Sequence, residues 1–556
     1  MYSKVDSSVV MGLEVSLVEV EADIRDGLPG MEMVGALGTE VREARERVKT
    51  ALSNAGFRLP PKKITVNLSP SDIRKVGNGF DVPIAVSILL AMGYIQEGTQ
   101  EGVLFAGELG LNGDVRAVNG ILPIVLFGVR NGYQTLIVPE ENLPEAEAVG
   151  SGNEYEMGAD VWGRETVVDM AGVDAIGREN RNEVPRVKAV GVRTLADIVE
   201  FMGCRAMGAE QEKLWLQENE ERRKRHGGYG KEEHRDIPDF SDLIGQKAVR
   251  RAAEVAVSGR HNFLMVGPPG SGKTMVASRI PGILPELTRE EILEVSQIYS
   301  VCGYLNAEHP LIKTRPFRAP HHTVTPTTLI GGGRIPRPGE VSLADRGVLF
   351  LDELTEFHKS TLDTLRQPLE DGKIRISRNQ GSFEFPADFV LVAGMNPCPC
   401  GFYPDRSRCH CEPYEIRRYL SHVSRPLLDR IDVCVEAAAI PMKELMTGEK
   451  GESTAVIRER VLRTQKIQQE RFAGEEFSFN SLIPAGKIDL YCPLGPEERD
   501  MMELIFNKLH LSARGYHKIL KVARTIADME GEENIGIMHL SEAAGYRSIE
   551  TKFWEG

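Results

Sequence analysis

Phe263-Leu264-Met265-Val266 runs directly into Gly267-Pro268-Pro269-Gly270-Ser271-Gly272-Lys273-Thr274. A short apolar run followed by a glycine loop closing on Lys-Thr predicts a strand, a phosphate-cradling loop and a helix start. Glycine lets backbone N–H groups turn inward onto phosphates, because no side chain blocks the approach. Lys273 then reaches the β- and γ-phosphates, Thr274 offers its hydroxyl to Mg²⁺, and the following helix points its positive end at the same anion. Gly267 through Thr274 are therefore assigned to holding ATP with Mg²⁺.

Such a cradle needs an acid to position the metal, and Gly347-Val348-Leu349-Phe350-Leu351-Asp352-Glu353 supplies two. A buried parallel strand reads as a continuous apolar run, with its ligand-facing residues at the carboxyl end. Asp352 is assigned to the Mg²⁺ shell and Glu353 to polarising the attacking water. A third run, Phe389-Val390-Leu391-Val392-Ala393-Gly394, leads to Met395-Asn396, whose amide orients water without adding charge. Pro426-Leu427-Leu428-Asp429-Arg430 places an arginine in a loop, with Arg425 as a rival, and Leu511-Ser512-Ala513-Arg514 opens a helix near the C-terminus. Guanidinium groups stabilise the charge of a transferring phosphoryl group, and one can arrive from a neighbouring subunit.

This set resembles an AAA+ ATPase. The resemblance implies Walker A at 267–274, Walker B ending in Asp352-Glu353, sensor 1 at Asn396, an arginine finger at Arg430 and sensor 2 at Arg514. Asp239-Phe240-Ser241-Asp242-Leu243-Ile244-Gly245-Gln246 resembles the entry segment of these modules. The N-terminal part resembles the proteolytic domain of Lon proteases through Gly77–Ala85 and Gly107–Val115, but Asp81 stands at the nucleophile's place and Leu122 at the lysine base's. Neither side chain can perform those roles, so a scaffold or interaction domain is expected rather than a peptidase.

The fold expected is therefore α/β. It comprises a Lon-protease-like α+β domain over 1–175, a connecting helix and charged linker over 176–237, a parallel-sheet P-loop AAA+ domain over 238–440, and a C-terminal helical lid over 441–556. A length of 556 residues and 41% hydrophobic content allow several cores. No run of about 18 apolar residues is present, and the first residues lack the plan of an export signal, so a cytoplasmic protein with no membrane segment is expected. The net charge of −14 opposes a generally basic surface but permits a local basic channel.

Four of the eight cysteines cluster as Cys398-Pro399-Cys400 and Cys409-His410-Cys411. Thiolates grouped this way suit a tetrahedral structural Zn²⁺ site; an iron–sulfur cluster or reduced thiols are the alternatives. Between Leu311 and Gly339 there is no Asp or Glu, while Lys313, Arg315, Arg318, Arg334 and Arg337 are present, with His321-His322 and Gly331-Gly332-Gly333. Lys373-Ile374-Arg375-Ile376-Ser377-Arg378 and Phe383-Glu384-Phe385 flank Asn379-Gln380-Gly381 as a hairpin. Arg315, Arg318, Lys373, Arg375 and Arg378 are assigned to the phosphates of DNA.

The order of parts is similar to the ComM/YifB group of magnesium-chelatase-like proteins, through Arg315–His322, Asn396-Pro397-Cys398-Pro399-Cys400-Gly401 and Ser512-Ala513-Arg514-Gly515-Tyr516. The resemblance implies a hexameric, DNA-branch-migrating helicase or translocase, acting on branched or single-stranded DNA in recombination or natural transformation. The alternative is a magnesium-chelatase-like ATPase that remodels a protein partner.

Overall fold

A computed structural model describes residues 1–150, 187–226, 237–378, 381–438 and 451–554. The hairpin tip Asn379-Gln380 lies outside the described residues, as do the expected domain borders at 175/176 and 440/441 and part of the charged linker. The chain forms two compact units, one mainly Met1–Glu233 with Ser296–Leu311, the other mainly His234–Val295, Ile312–Arg378 and Ser382–Gly556.

The first unit is built on a mixed seven-stranded sheet, in the order Gly30–Val34, Lys63–Ser69, Glu14–Arg25, Tyr2–Met11, Val103–Phe105, Thr135–Pro139, Lys188–Val192. Tyr2–Met11 and Glu14–Arg25 pair antiparallel over their full length, with Met11 opposite Glu14 across the tight turn. Helix Thr39–Asn54 buries the stripe Val41, Ala44, Val48 and Leu52, the face that a 3.6-residue period puts together. Helix Asp81–Ala91 is buried on every side, which its uniformly apolar sequence requires apart from its first residue. Asp81 is the exception, and its carboxylate is satisfied by an ion pair. Arg47 donates to it from Nε at 2.8 Å and Nη2 at 2.9 Å, and the Leu109 N–H donates at 3.1 Å. The side chain of Leu122 is fully buried, with its N–H donating to Glu145.

The second unit holds a five-stranded sheet in the order Phe317–Arg318, Val348–Leu351, Val390–Met395, Phe263–Val266, Val433–Glu436. Every neighbouring pair is parallel. The three central strands are buried along their whole length, and burial on both faces explains why they read as unbroken apolar runs. Register aligns Val266 with Met395 and Leu351 with Ala393. The loop from Gly267, the Asp352 carboxylate and Asn396 therefore emerge side by side at the carboxyl ends of the three central strands.

Asp388, just before the sensor strand, receives both Arg260 and Arg346, each at 2.8 Å in its closest contact. Asp345 sits fully buried beside them and accepts from the Asp388 N–H at 2.7 Å. Residues 451–554 are mainly helical, with long helices at Thr454–Arg471, Pro496–Lys508, Ala513–Glu530 and Ile537–Trp554. Asp239 anchors the first of them. Its carboxylate accepts from the N–H groups of Ser241 and Thr454, and the hydroxyl and N–H of Ser241, then those of Thr454, pull it down to about 2.

Candidate nucleotide site

Lys273 is the first residue of helix Lys273–Ala277, entered from Gly272 in the left-handed conformation at φ 82°. Its ammonium is buried and donates to the carbonyls of Gly267 (2.8 Å) and Pro268 (3.0 Å) and to the Asn396 amide oxygen (3.3 Å). Burial pulls the ammonium below its usual range, while the charges of Asp352 and Glu353 pull it back up. A group folded onto its own loop carbonyls in this way is ready to exchange them for phosphate oxygens, which are stronger acceptors.

The Thr274 hydroxyl donates to the Asp352 carboxylate at 2.6 Å. One neutral and one anionic oxygen in contact, beside a phosphate-sized loop, are the donor set that Mg²⁺ takes from a protein when most of its shell is water and phosphate. These two residues would hold the ion, which when bound neutralises charge on the β- and γ-phosphates. Gly394, on the neighbouring strand, makes this approach possible. A Cβ there would lie 3.0 Å from Asp352 Oδ1 and 3.6 Å from Lys273 Cβ.

Glu353 takes a left-handed backbone at φ 51°, unusual for a residue with a side chain. Its N–H donates to Asp352 Oδ1 at 2.9 Å, and its half-exposed carboxylate lies 3.4 Å from His322 Nδ1. His322 is in turn covered by the His321 ring at 4.0 Å and meets the edge of Phe357. The contact of this histidine pair with Glu353 was not read from the sequence. The signal was positional: His322 stands four residues past strand Phe317–Arg318, which pairs with the Walker B strand.

Arg430 and Arg514 are brought together, but not at the glycine loop. Both line one cavity of about 350 Å³, whose wall also includes Arg260, Lys518 and Lys521. Asp432 lies in the same wall. Burial would raise its carboxyl, but Lys518, 2.9 Å away, and His261 hold it ionised and well below the carboxylate range. Arg430 donates to the carbonyls of Arg366 (3.0 Å) and Pro426 (2.7 Å) and pairs with Glu370. Arg514 is exposed.

The four loop thiols converge. Their sulfurs all lie within 4.8 Å of one another, with Cys398 3.3 Å from Cys400 and 3.7 Å from Cys409, and all four cysteines are free of disulfides. A Zn–S bond of about 2.3 Å implies tetrahedral S···S edges of roughly 3.8 Å, so the cluster matches that size. The Tyr403 N–H donates to Cys398 Sγ at 3.4 Å, a bond of the kind that orients and tunes thiolate ligands.

The basic residues divide. Lys373 and Arg375 stand on the exposed face of the strand Lys373–Arg378, whose other face buries Ile374 and Ile376; Arg378, exposed at the strand's end, falls on the isoleucine side and reaches the Gly333 carbonyl at 3.5 Å. Glu384 on the returning strand pairs with Lys373 at 2.9 Å and Arg375 at 3.0 Å. Arg318 is paired with Glu340. Arg315 corrects the expectation. Its guanidinium is turned inward onto the carbonyls of Pro285, Glu286 and Arg346 and onto Glu291, and burial lowers its pKa. With four of its five N–H groups engaged inside the fold, this largely buried side chain does not present itself to a phosphate.

Comparison with known proteins adds identity to this geometry. Family models described as magnesium chelatase subunit ChlI, subunit ChlI of Mg-chelatase, and magnesium chelatase subunit ChlI C-terminal match residues 239–445, 20–142 and 451–547. The chain is 41% identical to the competence protein ComM of Haemophilus influenzae, covering 98% of this chain and 97% of that protein. It is 36% identical to YifB of Escherichia coli over 99% of this chain and 97% of that protein. The magnesium-chelatase 38 kDa subunit of Chlorobaculum parvum is 22% identical over 55% of this chain and 88% of its own length. No helix among the described residues is long and apolar enough to cross a membrane. With near-complete coverage in both directions, the chain belongs to the ComM/YifB family of magnesium-chelatase-like AAA+ ATPases.

Proposed function

We propose that this ATPase is a DNA translocase working as a ring, a hexamer by family resemblance, which drives branch migration on branched or single-stranded DNA. Lys273 grips the β- and γ-phosphates, Thr274 and Asp352 hold Mg²⁺, Glu353 takes up the proton of the attacking water, and Asn396 orients that water. Arg430 and Arg514 complete the neighbour's site. Their shared cavity, where five cations are set among the carboxylates of Glu370, Asp388, Asp429 and Asp432 and none of the subunit's own Walker residues appears, supports this division. Glu370 occupies Arg430 until a neighbour's γ-phosphate competes for it. The four thiolates hold a structural zinc ion, and the first unit serves as a scaffold, its nucleophile position closed by the Asp81–Arg47 pair.

The observation that carries the DNA reading is the two-faced hairpin: apolar residues anchor one face, while Lys373 and Arg375 stand out on the other and Arg378 is exposed at the strand's end beside the tip. A strand surface with cations at alternate positions suits successive backbone phosphates, which position a nucleic acid without reading its sequence. The competence name of the Haemophilus relative points the same way. Changing Lys373, Arg375 and Arg378 together to Ala is expected to abolish stimulation of ATP hydrolysis by forked DNA while basal hydrolysis survives. Undiminished stimulation would refute the assignment.

The magnesium chelatase models, matching 239–445 and 451–547, favour a second reading in which the same motor remodels a protein partner. Hydrolysis indifferent to every DNA structure would select it.

A further inference from the structure

The thiol loop is not an isolated ornament of the motor. Cys398 follows Asn396 by two residues, and the loop then turns at Gly401, whose backbone is left-handed at φ 83°. That turn is pressed against the phosphate loop. A Cβ on Gly401 would lie 2.5 Å from Cδ and 3.1 Å from Cγ of Pro269. The Gly401 N–H closes the turn onto the Cys398 carbonyl at 2.9 Å. On its far side the loop meets the last helix, Ile537–Trp554, where the Tyr403 and Phe553 rings pack edge-on with centroids 6.0 Å apart. The phosphate loop is joined to the same region from below, since the Gly267 N–H donates to the Met395 carbonyl at 3.1 Å.

The geometry points to a metal-set wedge. Metal held by Cys398, Cys400, Cys409 and Cys411 fixes the Gly401 turn against Pro269 and so sets the affinity of the phosphate loop for ATP. This rests on the zinc reading given above. A short loop with four thiols and no regular structure across Cys398–Cys411 has little of its own to hold its shape. Binding free energy from a closed thiolate site becomes folding energy for such a loop. Without the ion, like-charged or unsatisfied sulfurs separate and the Gly401 turn loses its position. Pro269 then loses the surface against which it packs, and the backbone N–H groups that cradle the phosphates become free to reorient.

The test uses the full chain and reads binding, not turnover. Metal content is measured on protein purified under reducing conditions, and affinity for a fluorescent ATP analogue is then titrated before and after stripping with a thiol-directed chelator. Stoichiometric zinc is expected. Stripping is expected to weaken nucleotide binding by roughly tenfold or more, and added Zn²⁺ is expected to restore it. Hydrogen exchange of Phe263–Ala277 is expected to quicken with metal loss. Gly401→Ala, at full zinc content, is expected to weaken binding as well. Stripped protein that binds the nucleotide as tightly as loaded protein overturns the wedge while leaving the zinc site standing. Absent zinc, or iron in its place, overturns the zinc reading itself.

Discussion

Replacing Asp81 by Ser would put a hydroxyl at the position that the resemblance to Lon proteases assigns to a nucleophile. Asp81 is 0% exposed and accepts three hydrogen bonds, two from the Arg47 fork and one from the Leu109 N–H. Breaking a buried ion pair by removing one partner costs about 3–5 kcal/mol. The Arg47 side chain is 23% exposed and can partly rehydrate, so the lower end applies, about 3 kcal/mol. Helix Asp81–Ala91 begins at this residue, so the loss falls on its first turn. At about 1.4 kcal/mol per tenfold, amides of that helix in the full-length chain are expected to exchange roughly a hundredfold faster. Asp81→Asn keeps an oxygen for the Leu109 N–H and is expected to fall between the two. Peptide hydrolysis is not expected, because Leu122 offers no base. Exchange within about threefold of the parent would show that the ion pair is not what closes this position, and ATP-dependent casein cleavage would undo the scaffold reading.

Glu353→Gln is expected to bind ATP with parental affinity and lose hydrolysis by about a hundredfold or more, whereas Lys273→Ala loses binding itself; normal turnover in Glu353→Gln would remove its role toward water. His322→Ala, by freeing the Glu353 carboxylate it contacts at 3.4 Å, is expected to lower kcat by about threefold to tenfold at unchanged KM for ATP. A change in KM alone would contradict that. Burial, then the charge of Glu294, raises the Asp345 carboxyl to about 7. The folded chain thus keeps this proton longer than the unfolded one, so the group favours folding at low pH and loses that contribution as pH rises toward 7. Asp345→Asn is therefore expected to gain in Tm relative to the parent between pH 5 and pH 8. A pH-independent difference would be the opposite result.

Much of the motor was legible because its chemistry is local in sequence. The glycine loop, Asp352-Glu353 and Asn396 each close an apolar run, and a parallel sheet buried on both faces needs such runs with their functional ends aligned. The thiol cluster was legible for the same reason, as its four residues lie within one loop. What stayed hidden depends on pairing between distant segments. Arg315 reads as a free cation until the carbonyls of Pro285, Glu286 and Arg346 close around it. The contact between His322 and Glu353 requires the register of Phe317 against Val348. The meeting of Arg430 with Arg514 requires the C-terminal helices to be folded onto the sheet. Gly401 against Pro269 is invisible from either string alone.

The claim that one subunit's arginine completes the next subunit's nucleotide site is tested most directly by mixing two inactive proteins. Lys273→Ala retains Arg430, and Arg430→Ala retains Lys273, so a mixed ring contains interfaces with both residues intact. Regained ATP hydrolysis on mixing, peaking near equal proportions, is the predicted result. Two variants that stay silent together while demonstrably co-assembling would place Arg430 in service of its own subunit or of none, and contradict the account.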